Sequence, residues 1–118
     1  MTTYLINHLR IPGEIPNAEG LDYLENVEAT FRPYDGKWLV LGQEDEVLEG
    51  AWPGSIVLMK FPNRNAANDW YHSPAYQEIL RKRTDNTIGD VILVDQVDSD
   101  FTSAEYAKQI RAAIASAP

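Results

Sequence analysis

The sequence predicts one α+β domain of βαββαβ order, in which four strands form an antiparallel sheet with helices on one face and a further helix follows at the C-terminus. Three observations support this fold class. Four segments have strand-like alternation or composition, the segments between them repeat apolar residues at helical spacing, and Gly, Pro and Asn mark the junctions. With 118 residues, the chain has the length of one domain built on one core.

The first half of the chain predicts a strand, a helix and two more strands. Residues 4–11 alternate at a period of two and stop at a Pro-Gly pair, which is typical of a strand. Asn17 can cap a helix whose apolar residues recur at helical spacing until Pro33. Residues 37–43 and 55–61 are short β-rich runs separated by an acidic connection, so we expect them to be the second and third strands.

The second half of the core predicts two short helices and a final strand. Asn63 can cap the first of these helices, and Ser73 followed by Pro74 places an N-cap and a proline at the start of the second. Residues 88–97 carry apolar side chains on both faces, which predicts an internal strand.

The C-terminal segment predicts a helix outside the core. Thr102 and Glu105 have the spacing of a capping box, and an apolar stripe of Ala107, Ile110 and Ile114 follows them. We therefore place the domain at residues 1–98 and a helical extension at residues 99–118. The stripe needs a surface on which to lie.

Composition excludes several classes of partner and chemistry. The formal net charge of -8 gives an acidic surface, so we expect neither nucleic acid nor a membrane as partner. The absence of cysteine excludes disulfides and thiolate chemistry, and no apolar run is long enough to span a membrane. The N-terminal residues show no export signal, so we expect a cytoplasmic protein.

The first strand has two different faces. Tyr4, Ile6, His8 and Arg10 share one face, where large polar groups stand beside apolar ones. This face could line a cavity. Because the helices cover only the other side of the sheet, we also expect the helix-free face to close against a second copy, which makes the protein a homodimer.

Several short motifs resemble a known family. They are Glu49-Gly50-Ala51-Trp52, Phe61-Pro62, Ala67, the run Trp70-Tyr71-His72-Ser73-Pro74-Ala75-Tyr76-Gln77, and Arg83. Together they resemble the family called domain of unknown function 1330, within the dimeric α/β barrel superfamily. The resemblance spans about residues 4–97 and implies a ferredoxin-like fold. Relatives in that superfamily include cofactor-free oxygenases, lactone isomerases and haem-handling proteins, and fold alone does not choose among them.

The chain departs from this family at two positions. Family members often have an arginine in the second strand and a glutamate just before the Phe-Pro pair, where this chain has Leu41 and Lys60. A pocket that depends on those two charges would therefore be altered here.

Three residues are candidates for catalysis. His8 could act as a general acid or base, or it could bond a neighbour at a dimer interface. Glu49, close to Trp52, could be a carboxyl group beside an aromatic wall, or it could pair with a base and order its loop. Arg83 could hold an anion, since it continues the helical stripe of Tyr76 toward the buried side.

The basic cluster Arg81-Lys82-Arg83 has a simpler alternative reading, in which it is a solvated helix end that complements the helix dipole. Only Arg83 is expected to point inward. Because a buried charge is costly unless it is paired, Arg83 should meet either a carboxylate of the protein, with Glu49 as first choice, or an anionic ligand. Lys82 is expected to lie outside the pocket.

Six further residues are candidates for ligand binding, with the alternative that the aromatic ones belong to the core or the dimer interface. They are Tyr4, Arg10, Trp38, Trp52, Tyr71 and Tyr76. The two histidines are far apart and the acidic runs lack calcium-loop spacing, so we expect no metal, and we expect no cofactor.

Two functions remain open at this point. The first is a small dimeric enzyme, similar to the cofactor-free oxygenases or isomerases, that acts on a small aromatic or unsaturated carbonyl compound between sheet and helices. The second is a non-catalytic module that binds a small ligand or only assembles. An open pocket of roughly a few hundred Å³ in which His8 and Arg83 converge would favour the first, and a fully packed interior would favour the second.

Overall fold

The computed structural model describes all 118 residues. The elements follow the order β1 (Thr3–Arg10), α1 (Ala18–Phe31), a 3-10 turn (Arg32–Tyr34), β2 (Lys37–Val40), β3 (Ser55–Phe61), α2 (Arg64–Tyr71), α3 (Pro74–Thr84), β4 (Ile88–Asp95) and α4 (Ser103–Ala115). The predicted βαββαβ order with an additional C-terminal helix is therefore confirmed.

The four strands form one antiparallel sheet in the order β2-β3-β1-β4. The single antiparallel sheet was expected, but the prediction of an internal final strand is wrong, because β4 lies at an edge. The apolar residues on its second face, Ile92 and Val94, are exposed on the side of the sheet that carries no helix. A strand with apolar residues on an uncovered sheet face has the same sequence pattern as a strand that is buried on both faces.

Each of the four α-helices begins at the residue that the sequence indicated. Asn17, Asn63, Ser73 and Thr102 each accept a hydrogen bond from the backbone N–H three residues further on. Such a cap satisfies one of the backbone donors that a helix leaves unpaired at its start.

The core lies between α1, α2, α3 and one face of the sheet, which we call the inner face. Trp70 is its largest fully buried side chain. Its ring stacks on Phe61 with centroids 5.3 Å apart, and its indole N–H donates to the Thr30 hydroxyl at 2.9 Å. Burial along β1 alternates, so Thr3, Leu5 and Asn7 face inward.

The opposite side of the sheet, the outer face, carries no helix. Every residue from 98 to 118 is exposed, so the apolar stripe of α4 packs on nothing in its own chain. None of the helices combines the length and the apolar character needed to cross a membrane.

Candidate functional site

A cavity of about 80 Å³ lies between the inner face and the helices. Its walls are mostly apolar and include Leu5, Leu9, Leu24, Trp38, Leu41, Val57, Met59, Trp70, Tyr71 and Val91. An engineered cavity of about 150 Å³ is known to hold benzene, so this one suits a ligand smaller than a ring, or a ring that projects through the opening. The cavity is smaller than the few hundred Å³ that would by itself have favoured an enzyme.

The polar groups of the cavity are concentrated where α1 and α3 meet the sheet. The hydroxyl groups of Tyr23 and Tyr76 lie 2.9 Å apart, and a guanidinium N–H of Arg83 donates to the Tyr76 oxygen at 3.4 Å. The Arg83 guanidinium carbon also lies 6.0 Å from the centroid of the Tyr23 ring, within reach of a cation–π interaction. No carboxylate forms an ion pair with Arg83. The cavity therefore contains a half-buried positive charge held only by phenol groups.

The two tyrosines and the arginine shift one another's ionisation. Burial, together with the neighbouring Tyr76 hydroxyl, raises the pKa of the Tyr23 phenol well above its usual value. Burial acts to lower the pKa of Arg83, but the Tyr76 and Tyr23 oxygens outweigh it, so the pKa is raised. At neutral pH, Tyr23 is thus a hydrogen-bond donor and cannot serve as a base, while Arg83 stays positively charged.

Asn7 is the remaining buried polar side chain at this end of the cavity. It is 5% exposed, and its Oδ1 atom is buried without a hydrogen-bond partner. The space beside it is kept open by Gly89 of β4: a Cβ at that position would stand 2.8 Å from Asn7 Oδ1 and 3.4 Å from an Arg83 nitrogen. Asn7 and Arg83 therefore approach the same point.

A second group of polar residues lies on the outer face. The His8 ring stacks on Trp52 at 4.4 Å between centroids, and its Nε2 donates to the Pro53 carbonyl at 2.5 Å. Arg10 donates to His8 Nδ1 at 3.3 Å and pairs with Asp90 at 2.6 Å. Both ring nitrogens of His8 are thus engaged: Nε2 attaches the β2–β3 loop to β1, and Nδ1 bonds Arg10 within β1.

This loop can approach β1 only because residue 54 is glycine. Gly54 has φ +98°, and a Cβ there would come within 2.3 Å of the Leu9 carbonyl oxygen. The close approach brings Trp52 over His8 and makes the outer group a local structural cluster.

The structure brings four of the predicted site residues to the cavity and separates the others from it. Those at the cavity are Trp38, Tyr71, Tyr76 and Arg83. The convergence of His8 with Arg83 does not occur, because successive residues of β1 point to opposite faces and His8 follows Asn7. Tyr4, Arg10 and Trp52 accompany His8 on the outer face, so the cavity lies on the face of β1 opposite to the one expected.

The expected ion pair between Glu49 and Arg83 is wrong. Glu49 is exposed in the β2–β3 loop and does not pair with Arg83, whose neighbours are tyrosines. Lys82 lies outside the cavity, as expected, and it pairs with Asp22 of α1 across the helix interface. The structure brings together no group of three His, Asp or Glu side chains that could hold a metal ion.

Tyr23 and Asn7 are polar residues of the cavity that were not among the predicted site residues. Tyr23 lies on the buried stripe of α1 with Val27 and Phe31, and its position four residues before Val27 was an available signal. Asn7 lies between Leu5 and Leu9 on the other face of the first strand, and an amide at an otherwise apolar position was also an available signal.

Solved structures of low sequence identity share this fold. RPA0582, a protein of unknown function from Rhodopseudomonas palustris, has a TM-score of 0.63 and 16% identity, over 82% of this chain and 83% of that one. SnoaB, a cofactor-independent oxygenase from Streptomyces nogalater, has a TM-score of 0.56 and 13% identity, over 86% and 97%. An antibiotic biosynthesis monooxygenase has a TM-score of 0.53 and 19% identity, over 83% and 100%. These similarities establish the ferredoxin-like fold and no particular reaction.

No curated protein matches the chain as a relative. The family described as domain of unknown function DUF1330 matches residues 2–97, a range that contains every element from β1 to β4 and excludes α4. Because this match covers most of the chain, as the resemblance of its motifs implied, the protein belongs to the DUF1330 family.

Proposed function

We propose that the protein acts on a small unsaturated carbonyl compound, which it binds in the cavity with an anionic oxygen, as an enolate or carboxylate, against Arg83. The reaction would be of the cofactor-free oxygenase or isomerase kind. One observation carries the proposal: a half-buried guanidinium without a carboxylate partner stands at the polar end of an otherwise apolar cavity. A buried charge without a counterion is costly, and an anionic ligand would supply one.

The polar groups of the site would stabilise negative charge on the substrate oxygen. Arg83 contributes a permanent positive charge, and the Tyr23–Tyr76 pair contributes hydroxyl donors that remain protonated. Donors fixed in advance in an apolar cavity stabilise a developing oxyanion more strongly than water does. The enolate carbon would then react, either with dioxygen, forming a carbon–oxygen bond and a peroxide, or with a proton, which completes an isomerisation.

The site offers donors but no evident base. Neither a carboxylate nor an imidazole lines the cavity, and the raised pKa of Tyr23 removes it as a base. A suitable substrate must therefore be acidic enough to lose its proton to solvent once Arg83 stabilises the anion. This requirement favours compounds such as 1,3-dicarbonyls over simple ketones.

The absence of a base in the cavity also supports a second candidate, a module that binds a small anion without converting it. The two candidates share the anion site and differ only in turnover. Both are compatible with the similarity to SnoaB, which shows the fold alone.

Pentane-2,4-dione is a suitable probe, because its enol and enolate forms differ in ultraviolet absorption. We expect the wild-type protein to shift the probe toward the enolate at neutral pH and to consume dioxygen if it is an oxygenase. Arg83→Met should lose the enolate shift, because the positive charge is gone while the side-chain volume is nearly kept. Lys82→Met is the matched control, since its ammonium lies outside the cavity and bonds Asp22.

The outcomes separate the candidates. An enolate shift with dioxygen consumption supports the oxygenase, and binding with neither dioxygen consumption nor hydrogen exchange at the enolate carbon supports the binding module. If the probe does not bind, or if Arg83→Met behaves like Lys82→Met, Arg83 is not an anion site and the proposal is wrong. Circular dichroism of each variant controls for folding.

A further inference from the structure

We infer that Asn7 is a specificity-determining residue that recognises a second oxygen-bearing group of the ligand, adjacent to the anionic oxygen at Arg83. The preferred ligands are then 2-oxo acids, 2-hydroxy acids or dicarbonyl compounds and not simple monoacids. This inference rests on the proposed function, because it requires an anion at Arg83.

The side-chain amide of Asn7 has an unsatisfied oxygen. Asn7 Oδ1 is buried and has no hydrogen-bond partner. Buried polar side chains in folded proteins nearly always have partners, so an unpartnered amide in the wall of a cavity indicates that the partner comes from outside the chain. An amide can accept from a hydroxyl or donate to a carbonyl, which fits either form of an oxygenated carbon.

Asn7 also lies near Arg83 in the wall of the cavity. Asn7 lies on the inner face between Leu5 and Leu9, at a place where an apolar side chain would continue the wall of the cavity. Its amide and the Arg83 guanidinium approach the same point beside Gly89, at 2.8 and 3.4 Å from where a Cβ would be. Two groups so close together can contact two oxygens of one ligand only if those oxygens are on neighbouring carbons or separated by one carbon.

The space beside Asn7 and Arg83 belongs to a small and mostly apolar cavity. The cavity has a volume of about 80 Å³, and its walls are apolar away from Asn7 and Arg83. A ligand would therefore place both of its oxygens beside these two residues and a short apolar remainder against the other walls. The Tyr76 hydroxyl is a third polar group at this end of the cavity. It accepts a hydrogen bond from Arg83 and forms another with the Tyr23 hydroxyl. Asn7, Arg83 and Tyr76 together provide enough polar groups to bond more than one oxygen atom of a ligand.

The test compares butanoate with 2-oxobutanoate and 2-hydroxybutanoate, titrated by NMR against the wild type, Asn7→Leu and Arg83→Met. In the wild type we expect at least one of the oxygenated acids to bind about tenfold more tightly than butanoate, because a site with unpaired polar groups discriminates against ligands that cannot pair them. Asn7→Leu should remove this preference while leaving the butanoate affinity within about twofold. Arg83→Met should weaken all three.

A second measurement does not need a ligand. If Asn7 has no structural partner, Asn7→Leu should leave the thermal unfolding midpoint unchanged or raise it, since an unpaired buried polar group is replaced by an apolar one of similar size. A clear fall in the midpoint would show that Asn7 serves the fold, and the inference would be wrong.

The inference and the proposed function fail in different ways. Equal affinity of the wild type for the three acids, with a loss in Arg83→Met, would overturn the role of Asn7 and leave the anion site intact. If none of the three acids binds the wild type, or if Arg83→Met binds them as the wild type does, the anion site itself is refuted, and the role of Asn7 with it.

Discussion

Arg83 retains its charge in a half-buried position because two phenol groups replace the carboxylate that such a charge usually requires. The Tyr76 oxygen accepts from it, and the Tyr23 ring and hydroxyl lie beside it. Tyrosine hydroxyls leave the charge uncompensated, whereas a carboxylate would have neutralised it. At the scale of single residues, the partner of a charged side chain therefore decides whether its charge is neutralised within the protein.

Asp95 provides a second residue-scale example, with a consequence for pH. The Thr3 hydroxyl donates to its carboxylate at 2.7 Å and Arg64 lies 3.2 Å away, and these bonds hold the pKa of Asp95 below its usual value of 3.8. A group with a lower pKa in the folded state stabilises that state above its unfolded pKa, and this contribution is lost as the pH falls through the folded pKa.

We therefore expect the thermal midpoint of the wild type to fall more steeply than that of Asp95→Asn between about pH 5 and pH 2. Circular dichroism melts across this range measure the difference. Asp45→Asn, in the exposed β2–β3 loop, is the matched control and should follow the wild type. Parallel curves for the wild type and Asp95→Asn would show that this carboxylate contributes nothing to acid stability.

At the scale of elements, the junction between α2 and α3 positions Tyr71 and Tyr76 at the cavity. Ser73 fixes this junction from both sides, because its hydroxyl donates to the Trp70 carbonyl at 2.7 Å and accepts from the Tyr76 backbone N–H at 3.3 Å. Pro74 follows at the first position of α3, where a missing N–H has no consequence. The chain therefore turns sharply between two helices without leaving polar backbone groups unpaired.

Ser73→Ala should lower the free energy of unfolding by about 1 kcal/mol, because both hydrogen bonds of the cap are lost. Urea denaturation measures this loss, and binding of the anion probes should persist. Thr102→Ala is the matched control: it removes an equivalent cap from α4, whose residues are all exposed, and should leave the unfolding of the core unchanged. A loss of binding in Ser73→Ala at unchanged stability would instead make the serine a functional residue.

At the scale of the whole molecule, the outer face of the sheet remains uncovered. Its centre is apolar: Ile6 of β1 pairs with Leu58 of β3 and with Ile92 of β4, and Ile92 is 57% exposed. Val94 continues the apolar surface toward one end of β4, and the Arg10–Asp90 ion pair borders it toward the other end. A contiguous apolar face of this kind in a protein of net charge -8 favours association with another protein surface, and a two-fold dimer is the commonest arrangement.

We expect a homodimer formed through the outer face, observed in sedimentation at micromolar concentration as a species of twice the 13.3 kDa chain mass. Ile92→Glu should produce the monomer, because it places a charge at the centre of the interface. Ile15→Glu, an exposed isoleucine in the loop between β1 and α1, is the matched control and should remain dimeric. A wild-type protein that sediments only at 13.3 kDa would refute the dimer.

The sequence by itself determined the elements of this protein and their order. Helix caps, proline positions and the two hydrophobic periods are local features that depend on only a few neighbouring residues. The four helix N-caps could therefore be assigned from the sequence alone: Asn17, Asn63, Ser73 and Thr102. The motifs around Trp70 likewise indicated the family, and with it the fold.

Only the tertiary structure decided which residues form the site. Alternation along β1 separates Asn7 from His8, but the strand pattern alone does not show which face has a cavity behind it. Arg83 and Tyr23 are 60 residues apart in the chain, and they meet because α1 and α3 pack side by side on the inner face. The unsatisfied amide of Asn7 is a property of its surroundings, since whether a polar atom has a partner depends on the elements packed against it.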